Sequence, residues 1–488
     1  MDKNLWLVIG YAVFTLYTVG IMCLGILLEK KTKIDKTLCR KITHIISAFI
    51  WVICYVFFGY SIHWVVLNGV SALLLGFLIL GSRFNIFPRE DAKKSIGLFY
   101  FALSTFIVAV ISFLIGEETY MYTGIAYLCL ALGDGFAPLV AYALKNHNVK
   151  ILPSKTLFGS LTVYVVSFLT TLTLSAIFDL GLSPVFALSV GALACLAEFY
   201  GFKGLDNIFI DFSVFGYLLL YHYGLVGLPL QAVIIACPLL AWLAIGARAM
   251  TADGGVSAFF LFALIGFFSY DFTPIIFMSL LFAISTAVSV VGKKIKRREE
   301  GKVGGDHAAR RAKQIVAVGL LALISLGVYR YTGIVLFNYL FYLSLTEQFA
   351  DSMASDIGSL TKRRNINIIT FKPCEKGISG GVSLLGTMSA LCGCFLLMLL
   401  PLALGAVSVY IYFGVCALAF LGTVVDSVAG ALFQALYRCA SCGKSVEVST
   451  HCGTRGELVK GFRIIDNTAV NYIAGIITCA MGAMLLLI

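Results

Sequence analysis

The chain has 488 residues, of which 60% are hydrophobic and only 12% charged, and its mean hydropathy is +0.96. A soluble protein of this size could not cover so much apolar surface with polar residues, so the solvent is lipid and the repeating element is a span of about 20 apolar residues. The net charge of +11, from 36 Lys+Arg against 25 Asp+Glu, includes no basic patch with interleaved aromatics, which argues against a nucleic-acid partner.

Apolar runs such as Leu5–Leu28, Leu161–Ile177, Leu182–Phe199, Ala403–Leu421 and Tyr472–Ile488 approximate a membrane span. Together such runs predict about 16 spans. They must be helical, because backbone polar groups in hydrocarbon have to be satisfied within their own segment. The expected class is an all-α, polytopic transmembrane protein in two bundles. With Met1 outside and sides alternating span by span, only Lys3 and Arg330 among the basic residues fall outside. The clusters Lys30–Lys41, Arg83–Lys94, Lys293–Lys313 and Lys362–Lys376 fall inside, opposite Glu117, Glu118, Asp179 and Asp271. That bias predicts polar loops at the cytosolic face. No cleavable segment precedes Leu5, so the first span reads as a retained anchor, most simply in a prokaryotic plasma membrane. Of the 14 Cys, many lie in spans and none in the extracytosolic loops, so no disulfide framework is expected.

In chain order, Arg40, Lys41 and His44 open the second span. Arg40 and His44, at i and i+4, share a helix face and could bind phosphate or orient an acceptor hydroxyl; an interfacial anchor is the alternative. Gly133 and Asp134 end a later span. Lys155 and Thr156, with Gly159 and Ser160, then lead into the next one. Backbone N–H groups at a helix N-terminus form an anion site, Gly lets phosphate approach, and Lys adds positive charge. An ordinary helix cap is the alternative. Asp206 and Asn207 follow. Gly292–Lys313 reads as a solvated linker or a topogenic charge run. Beyond it come Asp351 and Asp356, then Lys376, Gly377, Ser379, Gly380, Gly381 and Ser383 ahead of a span starting near Leu384. Neither loop is a Walker A loop, since GxxxxGK[ST] is absent. Asp426 and the pair Asp466 and Asn467 complete the set. The order of acidic residue, Lys with Gly/Ser loop, and Asp-Asn occurs twice, so the chain reads as two related bundles joined near residues 226–255; coincidence is the alternative, since the spacings differ.

An Asp at a helix centre costs about 2.5–3.5 kcal/mol on insertion scales, so such residues face protein or water and need a partner. A transporter would use Asp134, Asp351, Asp356, Asp426 and Asp466 for protons or cations. A phosphotransferase would use them to hold Mg²⁺, which takes a few carboxylates plus substrate phosphates. Their company of Lys and Gly/Ser loops on one membrane side favours the phosphotransferase. Cys439, Cys442, His451 and Cys452 have the residue types of a Zn²⁺ site, yet adjacent His451 and Cys452 do not easily ligate one ion together. Structural zinc and plain reduced thiols both stand.

Arg40, Lys41 and His44, Gly133-Asp134-x-x-Ala137, Lys155-Thr156-x-x-Gly159-Ser160, and Glu198 followed by Asp206-Asn207 together resemble the nucleotide-dependent lipid-alcohol kinases. That group includes dolichol kinase, phytol kinase and the CTP-using diacylglycerol kinase. The likeness covers residues 1–225; Pro138, Val140, Ala141 and Ile210 depart from its pattern. Residues 226–244 form a connecting span. Residues 245–488 resemble the phytyl-phosphate kinase family through Ala350–Gly358, Gly377–Ser383, Gly386-Thr387, Asp426-Ser427 with Gly430 and Gln434, and Asp466-Asn467 with Asn471; Asp356 stands where Glu is usual.

These resemblances imply a bifunctional lipid kinase. The first half would convert an isoprenoid alcohol to its monophosphate and the second would convert that to the diphosphate, with a nucleoside triphosphate, CTP in the family, as donor. By the same likeness Asp134 would hold Mg²⁺, Arg40, Lys41, His44, Asp206 and Asn207 would serve catalysis, and Gly133, Lys155, Thr156, Gly159 and Ser160 would hold the nucleotide. In the second half Asp351, Asp356, Asp426 and Asp466, with Asn467 beside them, would bind metal. Lys376, Gly377, Ser379, Gly380, Gly381 and Ser383 would hold the donor phosphates. Synthesis of CDP-lipids and membrane transport are the competing classes.

Overall fold

The computed structural model describes residues 3–31, 35–83, 89–145, 150–152, 155–201, 204–246, 251–300, 312–361, 364–374 and 378–486. Contacts divide the chain into two compact units, 1–226 with 231–242, and 227–230 with 243–488.

In the first unit the apolar runs form α1 (Lys3–Lys31), α2 (Lys36–Phe58), α3 (Ile62–Arg83) and α4 (Arg89–Ile115). They are followed by α5 (Tyr120–Leu128), α6 (Gly135–Ala143), α7 (Leu157–Ile177), α8 (Pro184–Tyr200) and α9 (Asp206–His222). A short antiparallel pair, β1 (Lys150–Leu152) with β2 (Lys155–Thr156), leads into α7. Its core gathers on α5 and α8, whose residues are mostly buried, while α1 buries little more than Gly10. Residues 231–242 of α10 (Leu228–Gly246) group with the first unit and its two ends with the second.

The second unit holds α11 (Ala252–Phe268), α12 (Thr273–Glu300), α13 (Ala312–Thr332), α14 (Val335–Gly358), α15 (Leu384–Ala403), α16 (Val409–Phe433) and α17 (Asn467–Leu485). α14 is its axis, packing against α12, α13, α15, α16 and α17. Leu340 to Ala350 are buried without a break, as expected of a helix enclosed on every side. The loop before α15 contains β3 (Asn365–Asn367), β4 (Pro373–Cys374) and β5 (Gly381–Val382) in the order β4-β3-β5. Between α16 and α17 lie β6 (Leu436–Arg438), β7 (Ser445–Val446), β8 (Thr450–His451), β9 (Thr454–Arg455) and β10 (Glu457–Lys460).

Ten helical stretches among the described residues are long and apolar enough to cross a membrane, and three more are apolar but shorter. The protein is therefore an all-α, multi-pass membrane protein in contact with the lipid bilayer. By this measure the described spans fall short of the expected count of about 16. Two causes are visible: Ile62–Phe77, Pro184–Tyr200 and Asp253–Phe268 are short, and α14, at 24 residues, is diluted by Glu347, Asp351 and Asp356. Leu16, Leu73, Leu114 and Leu396 stand exposed on helix faces, where a hydrocarbon solvent suits them.

Candidate functional site

Asp134 reaches its position through an irregular helix. α5 passes into a π-helical turn at Cys129–Asp134 before α6 begins. Such turns insert an extra residue into the helical repeat and often lie at functional positions. Asp134 ends this one and is buried. Small residues bring the neighbours close: a Cβ at Gly133 would stand 3.2 Å from Ser167 Oγ on α7, and one at Gly135 would stand 2.5 Å from Ile45 Cγ1 on α2. α2 thereby carries its polar N-terminal turns to Asp134. Lys41 Nζ forms an ion pair with Asp134 Oδ2. His44 Nε2 lies 4.0 Å from the same oxygen and has no hydrogen-bond partner among the described residues. The His44 ring packs edge-on against Phe101, with centroids 4.8 Å apart. Arg40 is exposed; its Nη2 lies 3.7 Å from where a Cβ on Gly97 would be, and Asn207 Nδ2 donates to Gly97 O at 2.9 Å.

Lys155 does not face an open space. Its Nζ is 2.6 Å from Glu198 Oε1 and 3.5 Å from Asp206 Oδ2. Burial opposes its charge, but Glu198 and then Asp206 more than offset that, holding the amine above the usual lysine range. Ser160 donates to Glu198 Oε2 at 3.1 Å, and Thr156 caps α7 by accepting from the Gly159 N–H at 3.3 Å. In this state the lysine expected at the nucleotide phosphates gathers the carboxylates of Glu198 and Asp206. Glu198 entered the sequence analysis without a role; its signal was an acid inside the apolar run of α8. Asp211, fully buried on α9 beside Ser104, carried the same signal.

The second unit has an open site. Asp351, Ser379, Gly380, Gly381, Ser383, Asp426 and Asn467 line one cavity of about 620 Å³. Two devices build it. Ser383 caps α15, accepting from the Gly386 N–H at 3.1 Å, while Gly386 and Gly358 let α15 close on α14. Gly380 adopts φ +83, a left-handed conformation open to Gly at little strain, and lies against Ala431 of α16. Asp426 Oδ2 and, deeper on α14, Glu347 Oε1 are buried without a hydrogen-bond partner among the described residues. Glu347, Asp351 and Glu447 all act electrostatically on Asp426. Glu447 lines the same cavity and accepts from the Ser379 N–H at 2.7 Å.

Four expected site residues lie apart from this cavity or outside the described residues. Asp466 caps α17, accepting from the Ala469 N–H at 3.0 Å, and pairs with Lys313 at 2.5 Å. It is absent from the cavity lining, where its neighbour Asn467 stands instead. Asp356, five residues past Asp351, acts electrostatically on it but does not line the cavity. Lys376 and Gly377 fall outside the described residues. Glu347 and Glu447 had no place in the sequence analysis. An acid within an apolar run signals the first, and nothing in a polar loop distinguished the second.

The same local devices recur in the two units. A Thr or Ser cap bonded to a Gly N–H three residues on starts α7 and α15; Ser183 and Ser408 cap α8 and α16, which carry Glu198 and Asp426 toward their ends. Asp206-Asn207 and Asp466-Asn467 begin α9 and α17, with Asp211 and Asn471 five residues after each Asp.

The third cluster lies between α16 and α17. One ligand atom from each of Cys439, Cys442, His451 and Cys452 lies within 4.8 Å of all the others. The sequence-based objection to adjacent His451 and Cys452 does not hold. Cys452 adopts φ +52, which turns its thiol back beside His451 Nδ1 at 3.3 Å. His451 first, and then the Cys442 N–H, hold the Cys439 thiol down at about 6.

A family model described as Integral membrane protein DUF92 matches residues 235–479. The chain belongs to that family. The DUF92 match spans the 620 Å³ cavity and the Cys/His cluster. An uncharacterized membrane protein of Methanocaldococcus jannaschii is 27% identical over 173 residues, which are 33% of this DUF92 chain and 66% of that protein. Protein PGR of Arabidopsis thaliana is 32% identical over 142 residues, 26% of this chain and 47% of the relative. The chain thus spans less than two thirds of the length of each. No solved structure matches it significantly.

Proposed function

We propose that this membrane protein is a bifunctional lipid kinase. Its first half phosphorylates an isoprenoid alcohol, and its second half phosphorylates the resulting monophosphate, with a nucleoside triphosphate, by resemblance CTP, as donor. The observation that carries the reading is the second unit's cavity, where acids and a Gly/Ser loop face one space.

Asp351, Asp426 and Glu447 line that space, and no Lys, Arg or His is among its described lining residues. A buried carboxylate oxygen without a donor, as at Asp426 Oδ2, needs a cation or a proton. Hard oxygen donors in this number suit Mg²⁺. When bound, Mg²⁺ supplies neutralisation of the triphosphate charge, which phosphoryl transfer requires more than covalent chemistry. Asp351 and Asp426 would hold it, and the backbone N–H groups at the start of α15 would receive phosphate oxygens. Ala390, Phe420 and Val424 form an apolar wall in the same cavity, suited to the first carbons of a prenyl chain.

In the first unit Lys41 and His44 stand at Asp134, and Lys155 is within electrostatic reach of it. There Lys41 and Lys155 would pass from their carboxylates to the nucleotide phosphates, and Asp134 would hold the metal. The positive charge of the loops supports a cytosolic face for both reactions, and the plasma membrane is the simplest setting for them.

The test supplies membranes containing the chain with each γ-labelled nucleotide and either geranylgeraniol or its monophosphate. Asp134→Asn should abolish monophosphate formation, and Asp351→Asn only diphosphate formation. A nucleotide-bearing lipid product, or equal loss of both steps from either change with monophosphate supplied, defeats this reading.

A further inference from the structure

We propose that Cys439, Cys442, His451 and Cys452 bind one structural Zn²⁺, and that this ion locks Glu447 into the cavity wall of the second unit. The ion-binding half of this inference stands on the cluster alone; the relevance of Glu447 to phosphotransfer rests on the reading above.

The ligand geometry comes first. In a tetrahedral site with Zn–S near 2.3 Å, ligand atoms are separated by about 3.8 Å. His451 Nδ1 lies 3.4 Å from Cys442 Sγ and 3.3 Å from Cys452 Sγ, and all four donors fall within 4.8 Å of one another. Three soft thiolates and an imidazole select zinc over magnesium or calcium. No disulfide joins these cysteines.

The backbone is built to converge on this point from two directions. Cys439 and Cys442 sit on a tight turn between β6 and β7. The Gly443 N–H donates to Cys439 O at 2.9 Å, and the Cys439 N–H donates to Lys444 O at 3.0 Å. Gly443 supplies the left-handed residue, φ +68. His451 and Cys452 sit on the opposing β8–β9 hairpin, where His451 pairs with Thr454 across a two-residue turn. That turn needs left-handed backbone at both central positions, for which Asn-Gly is the usual choice. Here Cys452 at φ +52 precedes Gly453 at φ +73. A cysteine in this conformation is strained, and strain of this kind persists where a ligand bond or other function over-determines the position. Thr454 Oγ1 lies 2.9 Å from Ser441 Oγ and 3.8 Å from Cys439 Sγ, tying the two turns together as outer-shell groups do around metal ligands.

Between the two ligand pairs runs Ser445 to Thr450, and Glu447 is in its middle. Its carboxylate leaves the clip and accepts the Ser379 N–H of the Gly/Ser loop at 2.7 Å. Closing the clip at both ends limits the positions this short segment can occupy. The zinc therefore presets one wall of the cavity from outside it, and Glu447 acts as a positioning residue for the loop at Ser379.

The experiment uses the full chain in detergent, purified without a metal-affinity step and assayed for metal by mass spectrometry. One zinc per chain is expected. The double variant Cys442→Ser, Cys452→Ser should lose most of it, whereas Glu447→Ala should keep it. Amide hydrogen exchange gives a second reading that needs no catalysis. Protection of the Ser379 N–H should fall about tenfold in both variants and in wild-type protein stripped by a zinc chelator, as expected for losing one charge-assisted hydrogen bond. Wild-type protein without stoichiometric zinc, or with Cys439 and Cys442 recovered as a disulfide, overturns the metal site. Zinc present but Ser379 protection unchanged on its removal overturns the link to Glu447. Because neither readout involves phosphate transfer, these failures are separable from failure of the kinase reading.

Discussion

Replacing Gly380 with alanine perturbs the cavity loop at a position where the structure sets the size of the effect. Gly380 has φ +83, and a Cβ there would lie 2.9 Å from Ala431 Cα and 3.2 Å from Ala431 N. Left-handed backbone costs an L-residue roughly 1–2 kcal/mol. Forcing a methyl into packed backbone adds roughly 1–3 kcal/mol. Ala431 cannot yield, since it belongs to α16, which is wedged among α14, α15 and α17. The loop must therefore move, taking with it the Ser379 N–H and its bond to Glu447. A surface loop can open locally without global unfolding, so the thermal midpoint of the solubilised protein should fall only slightly. In the diphosphate-forming assay, however, Gly380→Ala should raise the nucleotide KM by at least about tenfold, equivalent to roughly 1.4 kcal/mol, and leave monophosphate formation unchanged. Gly405→Ala is the control: φ is +73, but a Cβ would meet nothing within 4 Å, so it carries the backbone cost without the collision. Diphosphate formation by Gly380→Ala indistinguishable from that of Gly405→Ala would refute the steric argument.

Lys41→Met strands the buried Asp134 carboxylate. Breaking a buried pair costs roughly 3–5 kcal/mol, so the melting temperature should drop markedly and recover in part when Asp134→Asn is added; additive losses in the double variant would contradict the pairing. Asp466→Ala removes the cap of α17 and should cost about 1 kcal/mol, with the exposed Lys313 pair adding little. Against burial, Lys313 and the Ala469 N–H hold the Asp466 carboxyl below its usual 3.8. Its contribution is therefore complete above that value and fades as pH falls through the lowered one, so wild type and Asp466→Asn should converge in stability only in strong acid. Gly422→Ala would place a methyl 2.6 Å from Glu347 Cγ where α16 crosses α14, and should destabilise the second unit by roughly 1–3 kcal/mol in thermal unfolding.

The polar positions separate into those that one-dimensional reading could reach and those it could not. Acids inside apolar runs are conspicuous, because charge in hydrocarbon is expensive and therefore rare. Asp134, Asp351 and Asp426 stood out for that reason, and Glu198, Asp211 and Glu347 carried the same mark. Partnership was not legible. Lys155, read as a phosphate ligand, lies between Glu198 and Asp206. Asp466, read as a metal carboxylate, is an exposed helix cap. An Asp before a helix has two uses, capping the N-terminus or facing a ligand, and spacing alone does not choose between them. The convergence of the Cys/His cluster was hidden for a backbone reason. Adjacent residues normally point apart, and only the left-handed turn at Cys452 brings its thiol round to His451.

The solvent, the helical class and the polar loops are legible in the order of residues. Transfer free energies and backbone hydrogen-bond requirements act residue by residue, so composition sums them faithfully. Which polar groups meet emerges only from the folded arrangement. Lys41 reaches Asp134 across 93 residues of chain, and Glu447 reaches Ser379 across 68. Such meetings depend on how whole helices cross, which is set by small residues such as Gly135, Gly358 and Gly386 at the contacts, and no local pattern encodes the partner on the other side.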